Sequence, residues 1–149
     1  MLEQRLEREI KAALLAGDSI KVTTLRGLKG TLLNIKVAEG SRGSEMSDDQ
    51  IIAIFSKQAK QRQESADLYI QGGNQPMADA ELAEKALIET YLPTQLDEAA
   101  VIAIIDEVIA EQGATDMKAM GQVIGAVKAK TAGSADGSVI ARLVKERLA

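Results

Sequence analysis

Residues 117–148 read MKAMGQVIGAVKAKTAGSADGSVIARLVKERL, and this stretch decides the fold. Met117, Met120, Ile124 and Val127 follow a 3-4-3 spacing, and Val139, Ile140, Leu143, Val144 and Leu148 line a second helical face after a gap. Such spacing puts apolar side chains on one side of an α-helix, so two short amphipathic helices are predicted, joined across Gly133 to Gly137. Six cations (Lys118, Lys128, Lys130, Arg142, Lys145, Arg147) stand against two acids (Asp136, Glu146), a net charge of +4 in a chain whose total is -4. A small basic helical module is expected. Lys128 and Lys130 fall in the last turn of its first helix, where cations suit the negative helix end.

Working outward, Thr115 or Asp116 is a suitable N-cap for the first of these helices, and Gly113 a stop for the one before it. That preceding helix starts after Asp97, with Val101, Ile104, Ile105, Val108 and Ile109 as its apolar face. Pro93 interrupts the pattern, because proline lacks an N–H and clashes with the preceding turn. A domain boundary is therefore placed at Leu92 to Leu96. Before it, Leu2, Leu6, Ile10 and Leu14 mark one helix, ended near Gly17 and followed by a cap at Asp18 or Ser19. Leu25, Leu28, Leu32 and Ile35 mark the core seam of the next, with Arg26, Lys29, Leu33 and Lys36 as a mainly cationic neighbouring row. The segment EGSRGSEMS (39–47) reads as a loop. Ser47 with Gln50 fits a capping box for a helix from about Asp48 to Gln71. Its inward stripe runs through Ile51, Phe55, Ala59, Ala66 and Tyr69, and Arg62 on that stripe needs a carboxylate or carbonyl partner. QGGNQP breaks the chain, and a helix from about Asp79 to Tyr91 turns Ala80, Ala83, Leu87 and Tyr91 inward. The predicted fold is all-α: a four-helix N-terminal domain over residues 1–92 and a three-helix C-terminal domain over 93–149.

Composition limits the chemistry. Of the 149 residues none is cysteine or histidine, and only Phe55, Tyr69 and Tyr91 are aromatic. Disulfides, thiolate chemistry and the commonest general base are absent. No serine sits in a nucleophile elbow, and neither Gly121-x-x-x-Gly125 nor Gly133-x-x-x-Gly137 matches a phosphate-binding loop. Close helix approach is the expected role of such glycines, with Asp136 and Gly137 opening the last helix. Asp106, Glu107 and Glu111 read as a solvated face, not a calcium or magnesium site. No metal or cofactor is expected. The N-terminus lacks the apolar run of a signal peptide, and no segment is long enough to span a bilayer, so a soluble, cytoplasmic protein without a membrane partner is expected. The basic tail has no aromatic platform, which argues against reading single strands. A structured RNA recognised by shape and backbone, or a plain solvated surface, remains open; DNA is not an expected partner.

Three segments in order, YLPTQL (91–96), GATDMKAMGQVIGAVKAK (113–130) and GSADGSVIARLVKERL (133–148), resemble the GatB/YqeY family. Upstream, TLRGLKGTL (24–32) and SKQAKQRQES (56–65) resemble its free-standing members, so the likeness covers nearly the whole chain. The family includes small proteins of this length and the tail domain of the B subunit of glutamine-dependent aminoacyl-tRNA amidotransferases. Gly133-Ser134 departs from the family pattern, which often places a basic residue after the glycine. The resemblance implies a tail domain that helps to hold tRNA through Lys118, Lys128, Lys130, Gly137, Arg142 and Lys145, with no catalytic residue in this chain. A second reading is a protein-interaction module whose N-terminal domain presents Arg26, Lys29, Lys57 and Lys60. A third, carbon–nitrogen ligation with glutamine as amide donor, needs a nucleophile and a nucleotide site that the residues do not supply, so no catalysis by the chain alone is expected.

Overall fold

The computed structural model describes residues 1–149. It contains α1 (Leu2–Ala16), α2 (Ser19–Ala38), α3 (Asp48–Gln71), α4 (Gln75–Glu89), α5 (Glu98–Gln112), a 3-10 turn (Met117–Ala119), α6 (Met120–Thr131) and α7 (Gly137–Leu148), with no strand. The chain divides into two compact units, Met1–Leu92 and Pro93–Ala149.

In the first unit, local signals set the helix ends. Gly17 takes the left-handed conformation (φ 73°) that closes α1, and the Asp18 carboxylate accepts the Lys21 N–H to open α2. Ser47 and Gln50 form the reciprocal capping box of α3. The core joins Leu6 and Ile10 of α1, Leu25, Leu28 and Leu32 of α2, Ile51, Phe55 and Ala59 of α3, and Ile88 with Tyr91. Phe55 meets the Tyr91 ring edge-on, centroids 5.6 Å apart, and the Arg5 guanidinium stacks over Tyr91 at 4.3 Å. The Tyr91 hydroxyl donates to Glu9, which also accepts from Arg5 Nε at 3.1 Å.

Three sequence expectations are corrected here. Leu14, placed on the core stripe of α1, is exposed, and Ala13 is buried instead. Lys36, read as part of an outer cationic row, is buried against Glu3, whose carboxylate also accepts the Met46 N–H at 2.9 Å. The third concerns α4, which starts at Gln75 and not near Asp79. The Asn74 side chain caps it, and Pro76 is tolerated in the first turn, where its missing N–H has no helical partner to lose. Its inward face differs accordingly: Ala78 and Ile88 are buried, while Ala80 and Ala83 are exposed. Between Ala78 and Ile88 the contact with α3 includes polar pairs. Arg62 reaches Glu81 at 3.0 Å and Glu84 at 3.5 Å, and Lys85 donates to Gln63 at 2.9 Å. The partner demanded by Arg62 is therefore a pair of carboxylates.

The Glu3 and Glu9 carboxyls predict an acid limb of stability. Burial pushes Glu3 up, but hydrogen bonds from Lys36 and Met46, with the Lys36 charge, leave it below its ordinary 4.5. Burial likewise pushes Glu9 up, and the Tyr91 hydroxyl and Arg5 outweigh that effect. A carboxyl lowered by folding contributes stability that is complete above its unfolded pKa and is lost as pH falls through the folded one. The urea midpoint of residues 1–92 is expected to stay level from about pH 7 to pH 5 and to drop below about pH 4.5.

In the second unit Asp97 caps α5 through the Ala100 N–H, Asp116 caps the 3-10 turn, and Asp136 accepts the Ser138 N–H at the start of α7. Val101, Ile105 and Val108 of α5 pack with Val123 and Val127 of α6 and Ile140, Leu143, Val144 and Leu148 of α7. Met117, expected on the α6 seam, is 41% exposed, and Val123 is buried in the seam instead. The tighter 3-10 turn ahead of Met120 breaks the 3.6-residue phase that the spacing assumed.

Candidate nucleic-acid interface

The second unit holds eight acidic side chains, Asp97, Glu98, Asp106, Glu107, Glu111, Asp116, Asp136 and Glu146, against the six cations of residues 117–148. The unit as a whole is therefore net -2, and the basic character of its last third depends on where each acid lies. Asp97, Asp116 and Asp136 are helix caps. The other five face cations. Lys130 reaches Glu107 and Glu111 of α5, both at 3.1 Å, and Arg147 reaches Asp106 at 2.9 Å. Arg142 pairs with Glu98 and, at 3.4 Å, with Glu146. The carboxylates read as a solvated face of α5 thus lie over the cations of α6 and α7. Hydrogen bonds to Glu107 and Glu111 push the Lys130 ammonium above its ordinary value, and the bond to Glu98 does the same for Arg142.

Lys118, Lys128 and Lys145 are exposed and take no part in these pairs. Lys118 sits in the 3-10 turn, Lys128 in the last turn of α6 and Lys145 on α7. Gly121, Gly125 and Lys128 are spaced i, i+4, i+7, which places them on one face of α6, and Lys118 lies one turn earlier. A Cβ built on Gly121 or Gly125 meets nothing within 4 Å. These two glycines were expected to let helices approach one another, and the structure corrects this: they are a bare strip of exposed backbone between two lysines. At the end of that strip the Lys128 side chain crosses Gly137, its Cε 3.2 Å and its Nζ 3.4 Å from where a Cβ would stand. The ammonium thus lies beside the amino end of α7.

The turn before α7 is built by two distant segments. Ala132 and Gly133 both have positive φ, 46° and 87°. The Leu96 N–H donates to the Ser134 carbonyl at 2.8 Å, and the Gln95 side chain donates to the Gly133 carbonyl at 3.1 Å. Gln95 and Leu96 were not among the sequence-derived site residues, although their segment was singled out as a motif. Its last two residues hold the other motif in shape. In the first unit, Arg26 and Lys29 belong to α2 and Lys57 and Lys60 to α3, all exposed, and Lys29 pairs with Glu7 at 2.7 Å. No group of carboxylates suited to a metal ion is assembled, and no helix is long and apolar enough to cross a membrane.

Comparison with known proteins adds kinship. Over 87 residues, 58% of this chain, the sequence is 31% identical to altered inheritance of mitochondria protein 41, mitochondrial, from Vanderwaltozyma polyspora. It is 33% identical, over the same share, to the protein of that name from Eremothecium gossypii. A third such protein, from Kluyveromyces lactis, is 25% identical over 132 residues, 85% of this chain and 69% of its own length. The first two alignments cover 46% of those relatives, so the chain spans about half of their length. The family model described as Yqey-like protein matches residues 3–148, and the chain belongs to that family.

Proposed function

We propose that this protein is a non-catalytic tRNA-binding accessory protein, related to the tRNA amidotransferase tail domain, whose C-terminal domain, residues 93–149, touches RNA backbone. The observation that supports this reading is the Gly121–Gly125–Lys128 face of α6, with Lys118 in the 3-10 turn just before it. Gly125, inside α6, costs the helix on the order of 1 kcal/mol relative to alanine, Gly121 in the first turn adds less, and here the two relieve no internal crowding. Bare backbone with an ammonium at either end suits the shallow minor groove and phosphates of helical RNA, which is recognised by shape. Lys145 adds a third cation on α7. The N-terminal domain, residues 1–92, holds no part of this face.

The test separates fold from contact. Gly121→Ala with Gly125→Ala is expected to raise the stability of residues 93–149 by about 1 kcal/mol and yet to weaken tRNA binding several-fold in fluorescence anisotropy at low salt. Lys118→Ala and Lys145→Ala are each expected to weaken binding and to lower the salt slope by about 0.7–0.9. Wild-type protein that binds no tRNA at low salt would remove the reading. A second reading, a protein-interaction module, is favoured by the exposed Leu15, Ile20, Leu33 and Val37 of the α1–α2 hairpin. Capture of a stoichiometric protein that survives ribonuclease would support it.

A further inference from the structure

The carboxylates of α5 occupy the cations that a nucleic acid would need. Glu107 and Glu111 converge on the single ammonium of Lys130, and Glu98 with Glu146 brackets the guanidinium of Arg142. Both cations are at the surface, with side chains 35% and 48% exposed. A phosphate can reach either without unfolding the helix that carries it. Exposed ion pairs of this kind are weakly held and exchange partners readily.

We infer that α5 is a built-in competitor for RNA phosphate: its carboxylates cover Lys130 and Arg142, and bound RNA must displace them. This rests on the tRNA-binding reading above and adds the regulation of that surface. In the resting protein Lys118, Lys128 and Lys145 make the first contacts, and Lys130 and Arg142 are held in reserve. Weak binding then tightens only for an RNA whose phosphates reach both sets.

The experiment uses the full chain and an unmodified tRNA transcript, with affinity measured across a salt series. Glu98→Gln is expected to tighten binding about fivefold near 0.1 M salt, because the phosphate no longer has to displace that carboxylate from Arg142. Glu107→Gln with Glu111→Gln is expected to do the same through Lys130. Each gain must vanish when the freed cation is removed, by Arg142→Gln or Lys130→Gln, because a double-mutant cycle isolates the pair. A gain that persists without the cation would show diffuse charge and overturn the inference, as would glutamine variants that bind like wild type while Lys118→Ala weakens binding. No binding by any form, wild type included, would fail the tRNA reading itself. Circular dichroism checks that the variants retain their helices.

Discussion

Replacing Phe55 by alanine is expected to lower the unfolding free energy of residues 1–92 by about 4 kcal/mol, the upper part of the range for a buried aromatic. Phe55 is 1% exposed and is the largest fully buried side chain in the protein. Its removal leaves a cavity in the core that it shares with Leu25, Ile51 and Ile88 and deprives Tyr91 of its edge-on contact. Tyr91 also binds Glu9 and lies under Arg5, so the loss spreads to α1. Single-domain stabilities are about 5–15 kcal/mol, so this variant should stand near the threshold of folding. Urea denaturation measures the loss, with the Ile105 and Ile140 methyl resonances reporting on the second unit. A loss under about 1 kcal/mol would contradict the packing.

The second large effect is expected at Glu3. The Lys36 side chain is 9% exposed and depends on this carboxylate, itself 23% exposed. Glu3→Ala strands the ammonium and frees the Met46 N–H. Removing one member of a buried pair costs about 3–5 kcal/mol, and the lower end is expected because Glu3 keeps some access to water. Replacing both members by methionine should restore stability to within about 1 kcal/mol of wild type, because no charge is then left buried. Equal losses in the single and double variants would mean that packing by the stems, and not the ion pair, carries the effect. The comparison is made at pH 7, where the carboxylate is ionised and the pair contributes fully.

Sequence reading succeeded best where a residue acts on its own backbone. Asp18, Ser47 with Gln50, Asp97 and Asp136 all cap the helices that their positions suggested, and Asp116 caps the 3-10 turn ahead of α6. It failed where a side chain is satisfied by a distant partner. Glu81 and Lys85 have the polarity of a solvated face, so the inward side of α4 was placed on Ala80 and Ala83. In the fold those charges meet Arg62 and Gln63 of α3. Lys36 misled for the same reason, since nothing local tells a buried lysine from an exposed one until Glu3 arrives from 33 residues away.

The candidate surface shows the same division. Its cations, glycines and motif segments were legible in the chain, and so was the family. Legible too were the helical class and the points where helices start and stop, because apolar periodicity and capping act within a few residues. Which cations remain available was decided only by the tertiary structure. Charge counted along residues 117–148 is +4, but Coulomb interactions follow distance in space. The fold brings Glu98, Asp106, Glu107 and Glu111 of α5 onto Arg142, Arg147 and Lys130, and leaves Lys118, Lys128 and Lys145 outside those pairs.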